Sequence, residues 1–285
     1  MKNLKIFINL TRLNKPIGFM LLFWPSSWGL AYAFSFDQNI NILSYYMFLF
    51  FLGSVLMRSA GCIFNDIVDK DIDKKVKRTE QRPIASGKIS VKKSIFYILM
   101  LCMLSFFILI QFNFKTILLG LGSMVLAFSY PFMKRITYWP QLFLGLTFNW
   151  GLIMGWTAVL DQISLEIIIL YFSAIFWTLG YDTIYGIQDI KDDEIIGMKS
   201  TSIKFKKNIK LFVSSCYFLS SVLIVCLFYN KLGLNPFTLL FIFFILSLMY
   251  QVKKFKKDNP KKCLKAFKLN NLSGFLLFFG IFLIN

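Results

Sequence analysis

Histidine is absent from the 285 residues, and its absence removes several kinds of chemistry. The chain lacks the usual general base, the usual haem ligand and the usual ligand of transition metals. The five cysteines are scattered and lie mostly inside apolar runs, so their spacing supports neither a zinc site nor a disulfide framework. Acidic residues are also few, 14 against 32 Lys and Arg. Any chemistry must rest on carboxylates, amides, phenols and cations.

Charged residues are scarce, because they make up 16% of the chain against about one quarter in soluble domains. A bilayer core about 30 Å thick requires roughly 20 apolar residues per helical span. The sequence predicts nine spans, near Ile17–Phe36, Ile40–Phe64, Ser94–Phe112, Thr116–Met133, Tyr138–Leu160, Ile163–Gly186, Leu211–Tyr229, Pro236–Val252 and Leu269–Ile284. We therefore expect an all-α membrane protein, with residues 1–285 forming one polytopic domain.

The +18 net charge has a topological explanation. All but three of the 32 Lys and Arg residues lie before the first span or in the loops after the even-numbered spans, the exceptions being Arg58, Lys115 and Lys231. Cytoplasmic loops of membrane proteins carry this excess of cations. The distribution predicts a cytoplasmic N-terminus and an external C-terminus in the inner, or cytoplasmic, membrane. Nucleic-acid binding is not needed to explain the charge.

The first acidic cluster follows span two. Asn65 and Asp66 open it, and Asp69 and Asp73 follow Asp66 at offsets of three and then four residues. These offsets place the carboxylates on one face if the helix continues beyond the membrane surface. Asp71 is expected to point elsewhere, into solvent.

The second acidic cluster follows span six. Asp182, Asp189 and Asp193 recur after seven and then four residues, which again places them on one helical face. Asp192 is expected beside them. Both clusters follow even-numbered spans, so we expect them at the same, cytoplasmic side of the membrane.

Carboxylates this close repel one another, so the clusters imply a counter-ion. Oxygen ligands without histidine or thiolate suit magnesium, which commonly takes its remaining ligands from waters and substrate phosphates. Two facing clusters could hold a diphosphate between metal ions. The alternative is that the aspartates merely pair with the abundant loop lysines. That alternative is favoured for one cluster alone and is weaker for two matched clusters.

These motifs resemble those of the UbiA-type family of intramembrane aromatic prenyltransferases, N-D-x-x-D-x-x-x-D and a later D-x-x-x-D. Here they read NDIVDKDID from Asn65 and DIKDD from Asp189. The segments RLNKPIGFMLLFWPSSWGL, RSAGCIFNDIVDKDIDKKVKRTEQRPIASGKIS, SYPFMKR and YDTIYGIQDIKDDEIIGMKST are similar to the branch that prenylates 4-hydroxybenzoate for ubiquinone. The resemblance implies a nine-helix bundle around a central cavity. It places the metal and the diphosphate at the cytoplasmic mouth and the lipid tail toward the bilayer.

The resemblance also implies a reaction, the transfer of a polyprenyl group from polyprenyl diphosphate to the 4-hydroxybenzoate ring, ortho to the hydroxyl. Magnesium stabilises the departing diphosphate while the electron-rich ring attacks the allylic carbon. The catalytic, metal-holding residues would be Asp66, Asp69, Asp73, Asp189 and Asp193. The alternatives are another acceptor, such as a dihydroxynaphthoate or a haem, and a membrane transporter. A transporter's acidic residues should reach the middle of the membrane.

Arg58 lies within span two, two helical turns before Asn65, where an ionisable residue is costly and is a candidate for function. We expect it to bind the carboxylate of the aromatic acceptor. The alternative is a structural ion pair with an acidic residue such as Asp182. Asn65 and Asp182 are further candidates for substrate contact.

Tyr130 and Lys134 have the spacing of the family's Y-x-x-x-K and would lie on one side of a helix, where Lys134 could bind diphosphate oxygen. The alternative is that Tyr130 is an aromatic residue at the membrane interface and that Lys134 is a cation that sets the topology. This alternative applies even more to Arg135. Arg82 and Lys88 are expected in a loop or short helix that could close over the site.

Overall fold

A computed structural model of the chain describes residues 2–284 and is almost entirely helical. The α-helices are α1 (Lys2–Thr11), α2 (Ile17–Asp37), α3 (Ile40–Val68), α4 (Lys70–Asp73), α5 (Val91–Leu109), α6 (Phe114–Ser129), α7 (Met133–Ile136), α8 (Pro140–Leu160), α9 (Leu165–Gly186), α10 (Ile190–Ile196), α11 (Thr201–Lys204), α12 (Ile209–Leu227), α13 (Pro236–Lys254), α14 (Pro260–Lys268) and α15 (Asn270–Phe282). Among the described residues, eight helical segments are long and apolar enough to cross a membrane.

These eight segments confirm eight of the nine predicted spans. The ninth corresponds to α15, which is apolar but has 13 residues. At a rise of 1.5 Å per residue it is about 20 Å long, shorter than a bilayer core of about 30 Å. The nine-helix architecture is therefore present, with a ninth helix shorter than the sequence predicts.

Polar residues explain where several of these helices begin. The Asn39 side chain accepts hydrogen bonds from the backbone N–H groups of Asn41 and Ile42 at the start of α3. Ser90, Asn113 and Asn235 cap α5, α6 and α13 in the same way. Such caps satisfy backbone donors that have no partner within the helix.

The membrane helices form a closed ring in chain order. α2 packs on α3, α3 on α5, α5 on α6, α6 on α8 and α8 on α9. α9 then packs on α12, α12 on α13, α13 on α15, and α15 returns to α2. The contact between α2 and α8 also crosses the ring, and it is the most extensive in the bundle.

Glycines permit this close contact between α2 and α8. A Cβ atom added to Gly29 would lie 2.1 Å from the carbonyl oxygen of Leu152, and one added to Gly155 would lie 2.6 Å from that of Ser26. Backbone atoms cannot yield as the end of a flexible side chain can. Small residues at these positions therefore let the two helix backbones touch, as they do in many membrane bundles.

Large apolar side chains cover the outer surface of the ring. Leu99 and Phe107 on α5, Val125 on α6 and Leu211 on α12 are all exposed. Exposed apolar residues spread over several helices are unfavourable in water and favourable against lipid. The fold is that of an integral membrane protein.

A buried polar network joins α9 to the C-terminal helices. The Trp177 indole N–H donates to Asn270 Oδ1 at 2.8 Å, and Asn270 Nδ2 donates to Gln251 Oε1 at 2.8 Å. The Tyr217 hydroxyl also donates to Gln251 Oε1, at 2.7 Å. These bonds satisfy groups that would be costly to bury alone, and they fix the position of α9.

Candidate active site

The three aspartates of the first motif lie on one face at the end of α3, as their spacing predicts. Asp66, Asp69 and Asp73 are each at most 5% exposed. Asp71 points away, since its side chain is 87% exposed and pairs with Lys74 at 3.0 Å. This hydrogen bond with Lys74 lowers the pKa of Asp71. The prediction that Asp71 is solvated is confirmed.

The chain bends at Asp69 without losing helical spacing. α3 ends at Val68, and Asp69 departs from helical geometry with φ −94° and ψ 6°. Its N–H still donates to the carbonyl of Asn65 at 2.9 Å, and its own carbonyl accepts from Asp73 at 2.8 Å. Asp73 therefore remains on the same face as Asp66.

The second motif also spans a change of helix type. α9 ends at Gly186, a 3₁₀ turn occupies Ile187–Asp189, and α10 follows. Asp182 lies on α9, two turns before Asp189, and Asp193 lies in the first turn of α10. All three aspartates are half-buried. We call the end of the bundle at which α3 and α9 end the motif end.

Two arginines compensate the buried charge of Asp66 and Asp73. Arg12 Nη2 lies 2.5 Å from Asp66 Oδ1. Arg82 Nη1 lies 3.1 Å from the same oxygen and 2.8 Å from Asp73 Oδ2. Burial raises the pKa of Asp73, Arg82 opposes this effect, and the nearby Asp66 carboxylate adds to it. Arg82 thus contacts two aspartates of the first motif.

Asp69 is held by two cations from the segment that follows α6. The Lys134 ammonium forms an ion pair with Asp69 Oδ2. Arg135 Nη2 lies 3.2 Å from Asp69 Oδ1 and donates to the carbonyl of Val68 at 2.8 Å. Lys134 is therefore at the motif end as predicted. Arg135, for which topology alone was the favoured explanation, contacts the same aspartate.

Arg78 reaches the second motif from the loop after α4. Its Nη2 lies 2.7 Å from Asp189 Oδ1 and donates to Asp189 Oδ2 at 2.8 Å. The same loop carries Arg82, so it contacts both acidic motifs. The sequence did not single out Arg78.

Lys88 lies outside the site, which corrects the expectation that it could close over it. Its side chain is exposed and lies beside Asn3, Ile6 and Tyr97. Lys88 is separated from Arg82 by a turn that ends with Gly87 in the left-handed region, at φ 73°. This turn directs the chain back toward α5.

Lys15 lies close to several other cations. Partial burial lowers its pKa, and the charges of Arg12, Arg78 and Arg82 lower it further. It forms no ion pair within 4.0 Å among residues 2–284. The potential around Lys15 therefore favours an anion.

Arg58 occupies the interior of the bundle without a carboxylate partner. In the described part of the chain it makes no ion pair, and its buried Nε has no hydrogen-bond partner. The guanidinium lies 5.4 Å from the ring centroid of Phe148. A Cβ atom on Gly18 would lie 3.0 Å from Arg58 Nε, so a glycine leaves room for the guanidinium. The alternative of an Arg58–Asp182 ion pair is not observed.

Tyr130 and Asp182 lie near Arg58. Each of the three is within electrostatic range of the other two. Tyr130 begins the 3₁₀ turn at the end of α6, and it also lies within range of Asp69. These residues form a polar region inside the ring, adjoining the charged motif end.

The aspartates of the two motifs do not form a preassembled metal cage. Among residues 2–284, no three carboxylate or thiol side chains converge on one point suited to an ion. Asp66, Asp69, Asp73 and Asp189 are instead paired with Arg or Lys. The donor set still fits magnesium, because this ion takes one or two carboxylates and completes its shell with waters and phosphates.

Arginine itself marks the site in the sequence, and this signal was missed. The chain has only five arginines, and all of them lie here, whereas the remaining cations are lysines. Lysine suffices for topology, but the planar guanidinium grips carboxylate or phosphate through two hydrogen bonds. The choice of Arg over Lys could have identified Arg12, Arg78 and Arg135 alongside Arg58 and Arg82.

The model of the UbiA prenyltransferase family matches residues 22–277. A mitochondrial 4-hydroxybenzoate polyprenyltransferase of Bos taurus is 41% identical over 99% of this chain and 76% of its own. A 4-hydroxybenzoate octaprenyltransferase of Vibrio vulnificus is 38% identical over 98% of this chain and 96% of its own. The chain belongs to the UbiA prenyltransferase family.

A solved structure shares the fold. It is a UbiA homologue from Archaeoglobus fulgidus bound to GPP and Mg²⁺, with a TM-score of 0.69 and 18% sequence identity. The match covers 97% of this chain and 99% of that one. The chain therefore shares its overall fold with that structure.

Proposed function

We propose that this protein transfers a polyprenyl group from polyprenyl diphosphate to 4-hydroxybenzoate, ortho to the hydroxyl, and releases diphosphate in ubiquinone biosynthesis. The observation that carries this proposal is the division of the site into two parts. Four of the aspartates at the motif end are paired with Arg or Lys, whereas Arg58, inside the ring of helices, has no carboxylate partner among residues 2–284. The names of the Bos taurus and Vibrio vulnificus relatives support the choice of acceptor.

We assign the diphosphate to the motif end, together with magnesium. The residues that would hold the metal are Asp66, Asp69, Asp73, Asp189 and Asp193. When bound, magnesium neutralises charge that develops on the departing diphosphate. The Archaeoglobus fulgidus homologue is bound to GPP and Mg²⁺, which supports a prenyl diphosphate and a metal as ligands of this fold.

In the same assignment, the cations that hold the aspartates would contact phosphate oxygens. Arg12, Arg82 and Lys134 contact the first motif, and Arg78 contacts the second. Lys15, which lacks a carboxylate partner, adds positive potential. Asn65 stands beside Asp66 with an amide that can donate to an anion.

We assign the acceptor to the interior region around Arg58. Its guanidinium can grip the acceptor carboxylate through two parallel hydrogen bonds. Tyr130 and Asp182 would face the bound ring from neighbouring helices. The reaction is an electrophilic substitution on an electron-rich ring, so it needs a stabilised leaving group more than a strong nucleophile. A site without histidine is adequate for this chemistry.

A dihydroxynaphthoate acceptor remains the second candidate, since Arg58 would bind its carboxylate equally well. A haem acceptor or a transport function has less support. The paired aspartates lie at the ends of α3 and α9 and not at the middle of the bundle, where a transporter binds its substrate.

The proposal includes an orientation in the membrane. The motif end would face the cytoplasm of the inner membrane and the C-terminus the opposite side, with residues 1–285 acting as one domain. The distribution of cations supports this orientation. The exposed apolar surface would let the polyprenyl tail extend into the bilayer.

The direct test offers purified protein a polyprenyl diphosphate, magnesium and a choice of acceptors, with product identified by mass. We expect prenylated 4-hydroxybenzoate in preference to prenylated dihydroxynaphthoate, and no product in excess chelator until magnesium is restored. If the dihydroxynaphthoate is prenylated in preference, it and not 4-hydroxybenzoate is the acceptor. Equal turnover in chelator would remove the metal assignment.

A further inference from the structure

Asp182 is an acidic side chain that the diphosphate assignment leaves unused. It forms no ion pair and accepts no hydrogen bond at its side chain from any residue between 2 and 284. Asp66, Asp69, Asp73 and Asp189 differ, because each is held by an arginine or lysine. A half-buried carboxylate without a partner is costly, so its presence points to a functional role.

Asp182 lies near Arg58, within electrostatic range of it. Asp182 lies seven residues before Asp189 on α9, and Arg58 lies seven residues before Asn65 on α3. Seven residues correspond to two turns, or about 10 Å along a helix. Each side chain is therefore set back along its helix from a residue of its motif. The acceptor assigned to Arg58 would lie between α3 and α9, with Asp182 at its side.

Prenylation of an aromatic ring requires a proton acceptor. The C–O bond of the allylic diphosphate breaks, and its electron pair leaves with the diphosphate. Ring electrons form the new C–C bond at the carbon ortho to the hydroxyl, which still carries its hydrogen. That C–H bond must then break, so that its electron pair restores the aromatic ring and its proton passes to a base.

We infer that Asp182 is this base and receives the ring proton on its carboxylate, a role that rests on the proposed prenyl transfer. The chain has no histidine. Tyr130 and Tyr181 are nearby, but a phenol, with an ordinary pKa of about 10, is a weak base in its neutral form. Asp66, Asp69, Asp73, Asp189 and Asp193 are already assigned to the metal and the diphosphate at the motif end. Asp182 combines a carboxylate that has no ion pair among residues 2–284 with a position beside the proposed site of the aromatic acceptor.

An isotope competition separates this role from simple binding. Wild type and Asp182→Asn receive equal amounts of 4-hydroxybenzoate and its ring-deuterated form in one reaction with a prenyl diphosphate, and the product is resolved by mass. In wild type, where the base is present, we expect little discrimination between the two acceptors. In Asp182→Asn, loss of the ring proton becomes slow, so protiated acceptor is consumed in preference. Turnover should fall by about 10²-fold.

The outcomes distinguish the inference from the function. If wild type makes no prenylated hydroxybenzoate, the proposed function fails. If wild type is active and Asp182→Asn merely raises KM for the acceptor without isotope discrimination, Asp182 binds the acceptor and is not the base. Wild type that already discriminates as strongly as the variant would also overturn the inference.

Two further variants keep the test decisive. Asp189→Asn should slow turnover without discrimination, because it affects the diphosphate and not the ring proton. Asp182→Glu moves a carboxylate of the same chemistry and should show higher turnover and weaker discrimination than Asp182→Asn. Since the competition reports a ratio within one reaction, it does not depend on how much of a variant is folded. Total inactivity of both Asp182 variants, with prenyl diphosphate still bound, would contradict the inference.

Discussion

The guanidinium of Arg78 lies 2.7 Å from Asp189 Oδ1 and joins the loop after α4 to the end of α9. Arg82, four residues later, contacts Asp66 and Asp73 of the first motif. A single loop thus bridges the two acidic motifs. Because both arginines pair with carboxylates that would hold the metal, the loop's position should depend on what occupies the motif end.

Arg78→Gln should release this loop while leaving the bundle intact. The Arg78–Asp189 pair is partly exposed, and such pairs contribute about 0–1 kcal/mol, so thermal unfolding in detergent should change little. Cleavage by a glutamate-specific protease after the exposed Glu80 should become faster, and KM for the prenyl diphosphate should rise. Lys88→Gln is the matched control, since Lys88 is in the same loop but outside the site. Equal cleavage of both variants would show that Arg78 does not hold the loop.

The effect of an Asp→Asn substitution in the first motif on turnover should depend on whether the aspartate is buried. Asp66→Asn and Asp69→Asn remove charge at the diphosphate, so each should lower turnover by at least about 10²-fold, as loss of a group that stabilises a leaving anion does. Asp71→Asn should leave turnover within a few-fold of wild type, because its side chain is 87% exposed and points to solvent. Turnover is measured per folded protein, quantified by fluorescence-detected size exclusion. A comparable loss in all three variants would contradict the assignment by helical face.

The sequence predicted the helices well because one physical signal dominates each of them. Apolar runs of span length and alternating loop charge are strong constraints, and α3 begins at Ile40 as predicted. Its end was less predictable, because the helix continues past Phe64 to Val68 and carries Asp66 with it. Hydropathy reports where the membrane ends, whereas a helix ends where its backbone bonding changes. The length of α15 was overestimated for the same reason.

The carboxylates of the site were predictable and most of their partners were not. Acidic residues are few, so a regular spacing among them is informative. Cations are abundant in the same loops, and topology already explains them. Which arginine meets which aspartate depends on packing between segments far apart in sequence, such as Arg12 with Asp66 and Arg135 with Asp69. Spacing along one helix holds no information on those contacts.

The glycine contact between α2 and α8 predicts a position-specific loss of stability. Gly29→Ala places a Cβ atom 2.1 Å from the Leu152 carbonyl oxygen, so the helices must separate. Overpacking of this kind costs about 1–3 kcal/mol, which should lower the unfolding temperature in detergent. Gly53→Ala on α3 is the matched control, because its Cβ would meet nothing within 4 Å and alanine favours a helix. Equal stability of the two variants would show that the close approach is not required.

Arg58→Lys tests the division of the site between acceptor and diphosphate. Lysine keeps the charge but lacks the planar fork, and a hydrogen bond to a charged group contributes about 1.5–3 kcal/mol, so KM for 4-hydroxybenzoate should rise about tenfold or more. KM for the prenyl diphosphate should change little. Lys134→Ala should show the opposite preference, because Lys134 pairs with Asp69 at the motif end.

Gly18→Ala provides an independent variant that leaves Arg58 in place. The added Cβ would lie 3.0 Å from Arg58 Nε and should displace the guanidinium by a few tenths of an ångström. We expect a smaller rise in KM for 4-hydroxybenzoate than in Arg58→Lys and no change for the prenyl diphosphate. Steady-state kinetics with each substrate varied in turn measures both constants. If Arg58→Lys and Gly18→Ala both keep the wild-type KM for 4-hydroxybenzoate, Arg58 does not bind the acceptor. The acceptor carboxylate must then be recognised by another part of the helix bundle.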